Sequence, residues 1–160
     1  VHLIANFDKI KNDMKIDITT GDTITPKEIE YLYPCMFQEE SLRVLAYPLE
    51  TILAEKYESV IKRNIFTTRM RDFYDLYNLY NLRKEEIDFD ILKQAIISTA
   101  NRRGSFSLMK QAMEIIKDIK DDDYLKELWK VYLADNLYVG DLIFLETVKV
   151  VEVIAEKIAL

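Results

Sequence analysis

The chain has 160 residues, of which 49% are hydrophobic and 31% charged, enough apolar material for one sizeable domain or two small packed lobes. Its 22 basic and 28 acidic residues leave a net charge of -6, so any contact with nucleic acid has to come from a local basic patch. A single cysteine and a single histidine exclude an internal disulfide and a cysteine/histidine zinc site, and they favour a reducing cytoplasm.

The first residues, Val1 to Phe7, are typical of the interior of a strand. We therefore expect that an upstream segment precedes them. The sequence contains no apolar run of about 18 residues, and no basic segment followed by an apolar one. These features predict a soluble, cytoplasmic protein with no membrane span and no signal peptide.

A strand is predicted around positions 14 to 18, where apolar residues at 14, 16 and 18 alternate with polar ones. This period of two residues indicates a strand with one buried face. Lys15 and Asp17 would then share the opposite face, which in most strands is simply solvated. Short apolar runs and turn residues continue to about Tyr47, so we assign residues 1–47 to a sheet.

From Pro48 onward the apolar residues follow a helical period, and residues 48–160 are predicted to form about five helices packed on the sheet. Pro48 suits the first turn of a helix, because its missing amide hydrogen would have no partner there. Four apolar stripes are expected to form the core: Leu92, Ala95, Ile96 and Thr99; Leu108, Ala112, Ile115 and Ile119; Leu125, Leu128, Trp129 and Tyr132; Phe144, Val148, Val151, Ile154, Ala155 and Ile158.

Lys56 occupies an unexpected position in the first predicted helix. Apolar residues at 49, 52, 53, 57 and 60 form one arc, and at 100° per residue Lys56 points into its middle while Glu55 and Glu58 point away. Two interpretations stay open. The lysine stem covers the core and its ammonium reaches solvent, or the ammonium meets a phosphate or a carboxylate inside a cleft.

The next predicted helix begins with alternating charges. Arg69 and Arg71 are followed by Asp72 and Asp75, which share one flank of the helix. Carboxylates in a first turn also interact favourably with the positive end of any helix. That ordinary explanation and a functional one are both compatible with the pattern.

Three separated motifs carry a resemblance to a known family. The stretch from Tyr47 to Tyr77 resembles the AbiEii/AbiGii group of toxins from bacterial abortive-infection and toxin–antitoxin systems. Met14 to Ile18 resembles the lysine-x-aspartate strand of that family, and Asn101 to Ser105 resembles its short basic turn, with Trp129 in a matching late helix. The resemblance implies an α+β protein, with part of a nucleotidyltransferase-fold mixed sheet followed by a C-terminal helical bundle.

The resemblance also implies a metal-dependent transfer of a nucleotide from a nucleoside triphosphate (NTP) to an RNA, with transfer RNA as the expected acceptor. Such toxins are countered by a cognate antitoxin. Which NTP is used stays open, and so does the identity of the acceptor. The implied residues are Asp17, Lys56 and Asp72 for catalysis, Asp17 for Mg²⁺, Lys15, Lys56, Arg69 and Asp75 for the nucleotide, and Arg102 and Arg103 for RNA.

One part of the family pattern is not found. The glycine-serine turn and its two neighbouring acids have no match, since the glycines are Gly21, Gly104 and Gly140. We therefore expect the 160 residues alone to fold but to be inactive. The alternative is a non-catalytic helical module that binds a nucleotide or a protein. Histidine- or cysteine-based catalysis is disfavoured, because His2 and Cys35 have no suitable neighbours in sequence.

Overall fold

The structure, a computed structural model, describes residues 1–37 and 39–160. Its N-terminal part consists of two separate antiparallel hairpins. The first pairs β1 (His2–Phe7) with β2 (Ile10–Lys15), and the second pairs β3 (Ile29–Pro34) with β4 (Ser41–Ala46). The strands therefore form two small sheets rather than one mixed sheet.

Each hairpin has an apolar face that is open to solvent. In the first, Leu3 lies opposite Met14 and Phe7 lies opposite Ile10, and Phe7 is 80% exposed. In the second, Tyr31 lies opposite Val44, and both are exposed. Successive side chains alternate between the faces of a strand, so these pairs give each hairpin one mainly apolar side.

The strand predicted around positions 14 to 18 is only partly confirmed. β2 ends at Lys15, and Asp17 lies after it. The predicted buried face is wrong, because Met14, Ile16 and Ile18 are all exposed. Hydrogen bonding to β1 satisfies the backbone, but burial of side chains needs a second layer, and no described element covers this face.

The described residues also form seven α-helices, so the predicted α+β class is confirmed. A segment expected to be one helix, near residues 107 to 120, is split in two, because Gln111 N bonds to Leu108 O in a tight turn. The helices are α1 (Leu49–Arg63), α2 (Met70–Arg83), α3 (Phe89–Arg103), α4 (Phe106–Met109), α5 (Ala112–Asp121), α6 (Asp123–Asp135) and α7 (Phe144–Ile158). Turns of 3-10 helix lie at Asn64–Phe66, Lys84–Glu86 and Leu137–Val139.

The core lies among the helices. α1 packs on α2 and α3, and α2 packs on α7. The four predicted stripes are core residues: those of α3 and α7 are buried throughout, and Leu108, Leu128 and Tyr132 of the other two are partly buried. Phe73 of α2 meets Phe144 of α7 edge to face, with ring centroids 5.2 Å apart. None of the described helices is long and apolar enough to cross a membrane.

The ends of α3 determine where the basic turn lies. Asp88 caps its N-terminus by accepting hydrogen bonds from the backbone of Asp90 and Ile91. Gly104 ends the helix at φ 68°, a left-handed conformation that glycine adopts without strain. Arg103 therefore lies in the last turn of α3, and Ser105 follows directly.

The segment between the hairpins is attached to the helices. Thr51 Oγ1 of α1 donates to Thr25 O and accepts from Thr25 N, both at 2.9 Å. Arg102 Nε of α3 donates to Gly21 O at 2.9 Å. These contacts dock the residues around Asp22 against the same end of the helical body that carries Lys56.

Candidate functional site

Lys56 of α1 faces the first turns of α2. Its Nζ lies 2.6 Å from Asp75 Oδ2 and 3.6 Å from Asp72 Oδ1. The lysine side chain is 23% exposed, and that of Asp72 is 6% exposed. Lys56 therefore does not simply extend into solvent: its ammonium is held between two carboxylates in a partly dry site.

Asp72 is held from three sides. Besides facing Lys56, it accepts a hydrogen bond from Ser59 Oγ at 3.1 Å and lies 3.0 Å from Arg69 Nε. Asp75 is more open and faces Arg71 at 3.8 Å. Lys56 and Ser59 are three residues apart on α1, so they lie on the same face of that helix. Together with Asp72, they place a lysine, a hydroxyl and a fixed carboxylate side by side.

A second charged cluster joins α1 to the end of α3. Glu58 is buried and accepts hydrogen bonds from Ser105 Oγ at 2.6 Å and from Arg103 Nη1 at 2.9 Å. Arg103 also faces Glu55 at 3.3 Å and Asp22 at 3.9 Å. The guanidinium of Arg103 is therefore surrounded by three carboxylates from two parts of the chain.

The two clusters border one pocket of about 310 Å³. Its charged lining residues are Glu55, Lys56, Arg69, Asp72 and Arg103, and Tyr47, Ile52 and Ser59 complete it. The pocket thus combines three cations and two carboxylates with one aliphatic residue, Ile52, and one aromatic residue, Tyr47. Such a lining suits a small, highly charged ligand better than an apolar one.

Burial affects the ionisation of two of these groups. Partial burial raises the pKa of the Glu55 carboxyl, and the nearby Asp22 raises it further, against the opposing charge of Arg103. Burial by itself would lower the pKa of Arg103, but the hydrogen bond and the charge of Glu58 outweigh it and raise that pKa. Arg103 is thus a permanent cation, while Glu55 is held in an environment that disfavours its charge.

The structure brings together several of the residues predicted from sequence. Lys56, Arg69, Asp72 and Asp75 form one contact network, and Arg103 lies on the wall of the same pocket. The side chain of Arg102 lies outside this pocket and donates a hydrogen bond to Gly21 O.

Lys15 and Asp17 do not line the pocket. They form an ion pair with each other at 3.2 Å, and their side chains are 62% and 74% exposed. Their roles, like those of the other predicted site residues, stay predictions.

Two details differ from the sequence analysis. Glu58 was expected to point away from the core, and this is wrong: it is buried against Ser105 and Arg103. The helical period could not show this, because the contacts come from the α3–α4 junction. Asp75 lies closer to Lys56 than Asp72 does, although the resemblance implies catalysis for Asp72 and nucleotide binding for Asp75. The only local feature of the sequence that indicates a partner for Glu58 is its spacing of four residues from Lys62, with which it pairs.

The implied Mg²⁺ does not fit the described residues by themselves. In the described part of the chain, no group of three acidic, histidine or cysteine side chains is arranged to hold a metal ion. Asp17 is an exposed single carboxylate already paired with Lys15. Asp72 and Asp75 are occupied by cations. A magnesium ion prefers octahedral oxygen ligands, usually with one or two carboxylates and substrate phosphates.

Comparison with protein families gives one match. The model of the family described as "Nucleotidyl transferase AbiEii toxin, Type IV TA system" matches residues 1–158. Comparisons with curated proteins and with solved structures found no match. The family match therefore extends over both hairpins and all the helices.

Proposed function

Because the chain belongs to the AbiEii family of nucleotidyl transferase toxins of type IV toxin–antitoxin systems, we propose that it contributes the triphosphate site of an RNA-modifying enzyme. In this proposal a nucleotide passes from an NTP to an RNA, with transfer RNA as the expected acceptor. The result is growth arrest in abortive infection, and a cognate antitoxin in the cytoplasm counters it.

The observation that carries the proposal is the environment of Lys56. Its side chain is 23% exposed and lies on the wall of a small charged pocket. A lysine there is a compact point charge on a flexible stem. A triphosphate entering the pocket competes with Asp75 for the ammonium, since Asp75 is the more exposed of the two carboxylates.

Asp72 has a positioning role in this proposal. It is fixed by Ser59 and Arg69, so it stays opposite the lysine while the ammonium turns from Asp75 to the phosphates. Arg69 is 56% exposed on the same pocket and adds a second cation. Preorganised cations of this kind stabilise the charge that develops on the phosphates in the transition state.

The reaction is a displacement at phosphorus. An acceptor hydroxyl releases its proton to solvent as its oxygen forms a bond to the α-phosphorus, the bond from that phosphorus to the bridging oxygen breaks, and pyrophosphate leaves with the electron pair. Lys56 and Arg69 neutralise the departing pyrophosphate in this scheme. The family resemblance implies a magnesium ion, which would neutralise phosphate charge when bound. Asp17 is proposed as one of its ligands, and Lys15 as a supporting cation. No step is assigned to the ion, because the described residues do not fit it alone.

The test uses Lys56→Ala and Asp72→Ala in the full-length protein, with Lys84→Ala as a matched control. Lys84 is exposed and lies outside the pocket. We expect both site variants to lose growth arrest and to lose transfer of label from an α-labelled NTP to RNA, while Lys84→Ala keeps both. Retained toxicity in both site variants would refute the assignment.

Two further comparisons refine the test. Asp75→Ala should reduce transfer less than Asp72→Ala if Asp75 is the carboxylate that the triphosphate displaces. The 160 residues alone should bind nucleotide without transferring it, because the two-acid motif is not among them. If the full-length protein also binds NTP without labelling RNA, the alternative of a non-catalytic binding module is supported instead.

A further inference from the structure

A second pocket, which we call the basic pocket, adjoins the first. It has a volume of about 520 Å³ and is lined by Glu58, Ser59, Lys62, Arg63, Arg69 and Arg103. Ser59, Arg69 and Arg103 line both pockets, so the two share a wall. Four of the six lining residues are cations and one is a carboxylate, in a chain whose overall net charge is -6.

The one carboxylate of the basic pocket is already engaged. The side chain of Glu58 is 2% exposed and accepts hydrogen bonds from Ser105 and Arg103. Its charge therefore offsets that of Arg103 inside the protein. The surface that a ligand would meet is dominated by the remaining cations.

Lys62 and Arg63 are the open cations of this surface. Lys62 Nζ donates to Arg103 O at 3.0 Å and lies 3.8 Å from Glu58, but its side chain is 44% exposed. Arg63 is exposed and forms no ion pair with the residues that the structure describes. Both can turn toward a ligand without leaving a buried charge unpaired.

Helix electrostatics account for only part of this arrangement. Lys62 and Arg63 lie in the last turn of α1, where cations are favourable in any helix. The same rule applies to Arg103 in the last turn of α3, but it does not explain Arg69, which lies at the N-terminal end of α2, or why all four cations face the same pocket. Cations from three separate elements therefore face one space, and among them Arg63 has no carboxylate partner within the described residues.

The chemistry of the lining indicates the class of anion. Every lining residue is polar or charged, whereas a docked peptide would need apolar contacts at the centre of its interface. Arginine and lysine side chains are common contacts to phosphodiester groups. The shared wall places such a group directly beside the proposed triphosphate.

We infer that the basic pocket binds the phosphodiester backbone of the acceptor RNA next to the nucleotide pocket. This inference rests on the proposed function for the identity of the acceptor. Lys62 and Arg63 hold the strand, and neither belongs to the proposed nucleotide machinery. They keep the acceptor next to the triphosphate and do not act on the reacting atoms.

The test measures binding of the chain to a fluorescein-labelled single-stranded RNA by anisotropy over a series of salt concentrations. The variant is Lys62→Ala/Arg63→Ala, and the charge-matched control is Lys84→Ala/Lys130→Ala, whose residues are exposed and line neither pocket. The slope of log K against log salt is negative, and each lost phosphate contact reduces its magnitude by about 0.7 for a single strand. We expect the magnitude of the variant slope to be smaller by about 1.4, twice that value, and the control slope to stay as in the unmodified chain.

The outcomes separate the inference from the proposed function. Equal slopes for the variant and the control would overturn the inference, whatever the activity. A fall in affinity for a fluorescent NTP analogue, with RNA binding unchanged, would also overturn it, because the pocket would then belong to the triphosphate site. A less steep salt dependence of RNA binding, with unchanged NTP affinity, supports it, even if no transfer is detected in the unmodified protein.

Discussion

The hairpins and the helical body of this protein are built from similarly apolar segments, but they bury them very differently. Leu53, Ile96 and Val151 are fully buried between helices, whereas Leu3, Phe7 and Leu45 of the hairpins are largely exposed. Strand pairing satisfies the backbone locally, but only a second packed layer removes side chains from water. The candidate site lies where helices pack on each other, so its charges are partly desolvated and its geometry is fixed.

The largest expected difference between the two regions is in the effect of removing one phenylalanine from each. Phe73→Ala removes a fully buried ring that contacts Phe144 and should lower the free energy of unfolding by about 4 kcal/mol. Phe7→Ala, at an exposed position, should change it by less than about 0.5 kcal/mol. Urea unfolding followed by circular dichroism measures both. A large loss for Phe7→Ala would mean that the hairpin face is packed in solution, and the contrast would fail.

The next effect concerns the buried charge of the helical body. Glu58→Gln leaves Arg103 without its closest carboxylate. Losing one member of a buried pair costs roughly 3 to 5 kcal/mol. Because Arg103 is 31% exposed and also faces Glu55, we expect the free energy of unfolding to fall by only about 2 kcal/mol. Urea unfolding followed by circular dichroism measures this change as well.

Glu127→Gln is the control for Glu58→Gln. Glu127 pairs with Lys130 at 2.6 Å, and their side chains are 67% and 68% exposed. Loss of this pair should change the free energy of unfolding by no more than about 0.5 kcal/mol, as for most exposed pairs. Equal effects of the two substitutions would show that Glu58 is solvated and does not anchor the site.

A smaller effect is expected where the two regions meet. Thr51→Val keeps the shape of a buried side chain but removes both hydrogen bonds to Thr25. We expect the free energy of unfolding to fall by about 1.5 kcal/mol and hydrogen exchange at the Thr25 amide to become faster. Thr68→Val, at an exposed position, serves as the control. Unchanged exchange at Thr25 would mean that the segment between the hairpins is held mainly by other contacts.

The smallest effect depends on pH. Burial raises the pKa of Glu55 above its ordinary value of 4.5, so the folded protein binds this proton more tightly than the unfolded chain. Stability is therefore lost as the pH rises through the window between the ordinary and the raised pKa. Glu55→Gln lacks this loss, so its melting temperature should rise relative to that of the unmodified protein from below pH 4.5 to neutral pH. A relative fall would show that attraction to Arg103 outweighs burial.

The sequence predicted the helical region well, because its signals are local and repeated. The apolar stripes of α3 and α7 follow the helical period and are buried as expected. The strand near Met14 was predicted, but not the exposure of its apolar face. Alternation shows which residues share a face, and whether that face is covered depends on other elements.

The candidate site shows the same division. Lys56, Arg69, Asp72 and Asp75 were proposed from residue types and resemblance, and the structure joins them in one network. Glu58 and Ser105 were missed, because they are 47 residues apart and no periodicity links them. Lys15 and Asp17 were proposed together with Lys56, yet they are outside its pocket.

By itself, the sequence determined the α+β class, the amphipathic helices and the presence of an unusual lysine on an apolar helix face. These properties follow from side-chain periodicity, which a local stretch of chain contains in full. Only the tertiary structure decided that Lys56 faces Asp75 more closely than Asp72, that Glu58 anchors Arg103, and that cations from three elements share the basic pocket. Such contacts depend on how distant segments pack, and the distances and burial that set their strength arise only in the folded chain.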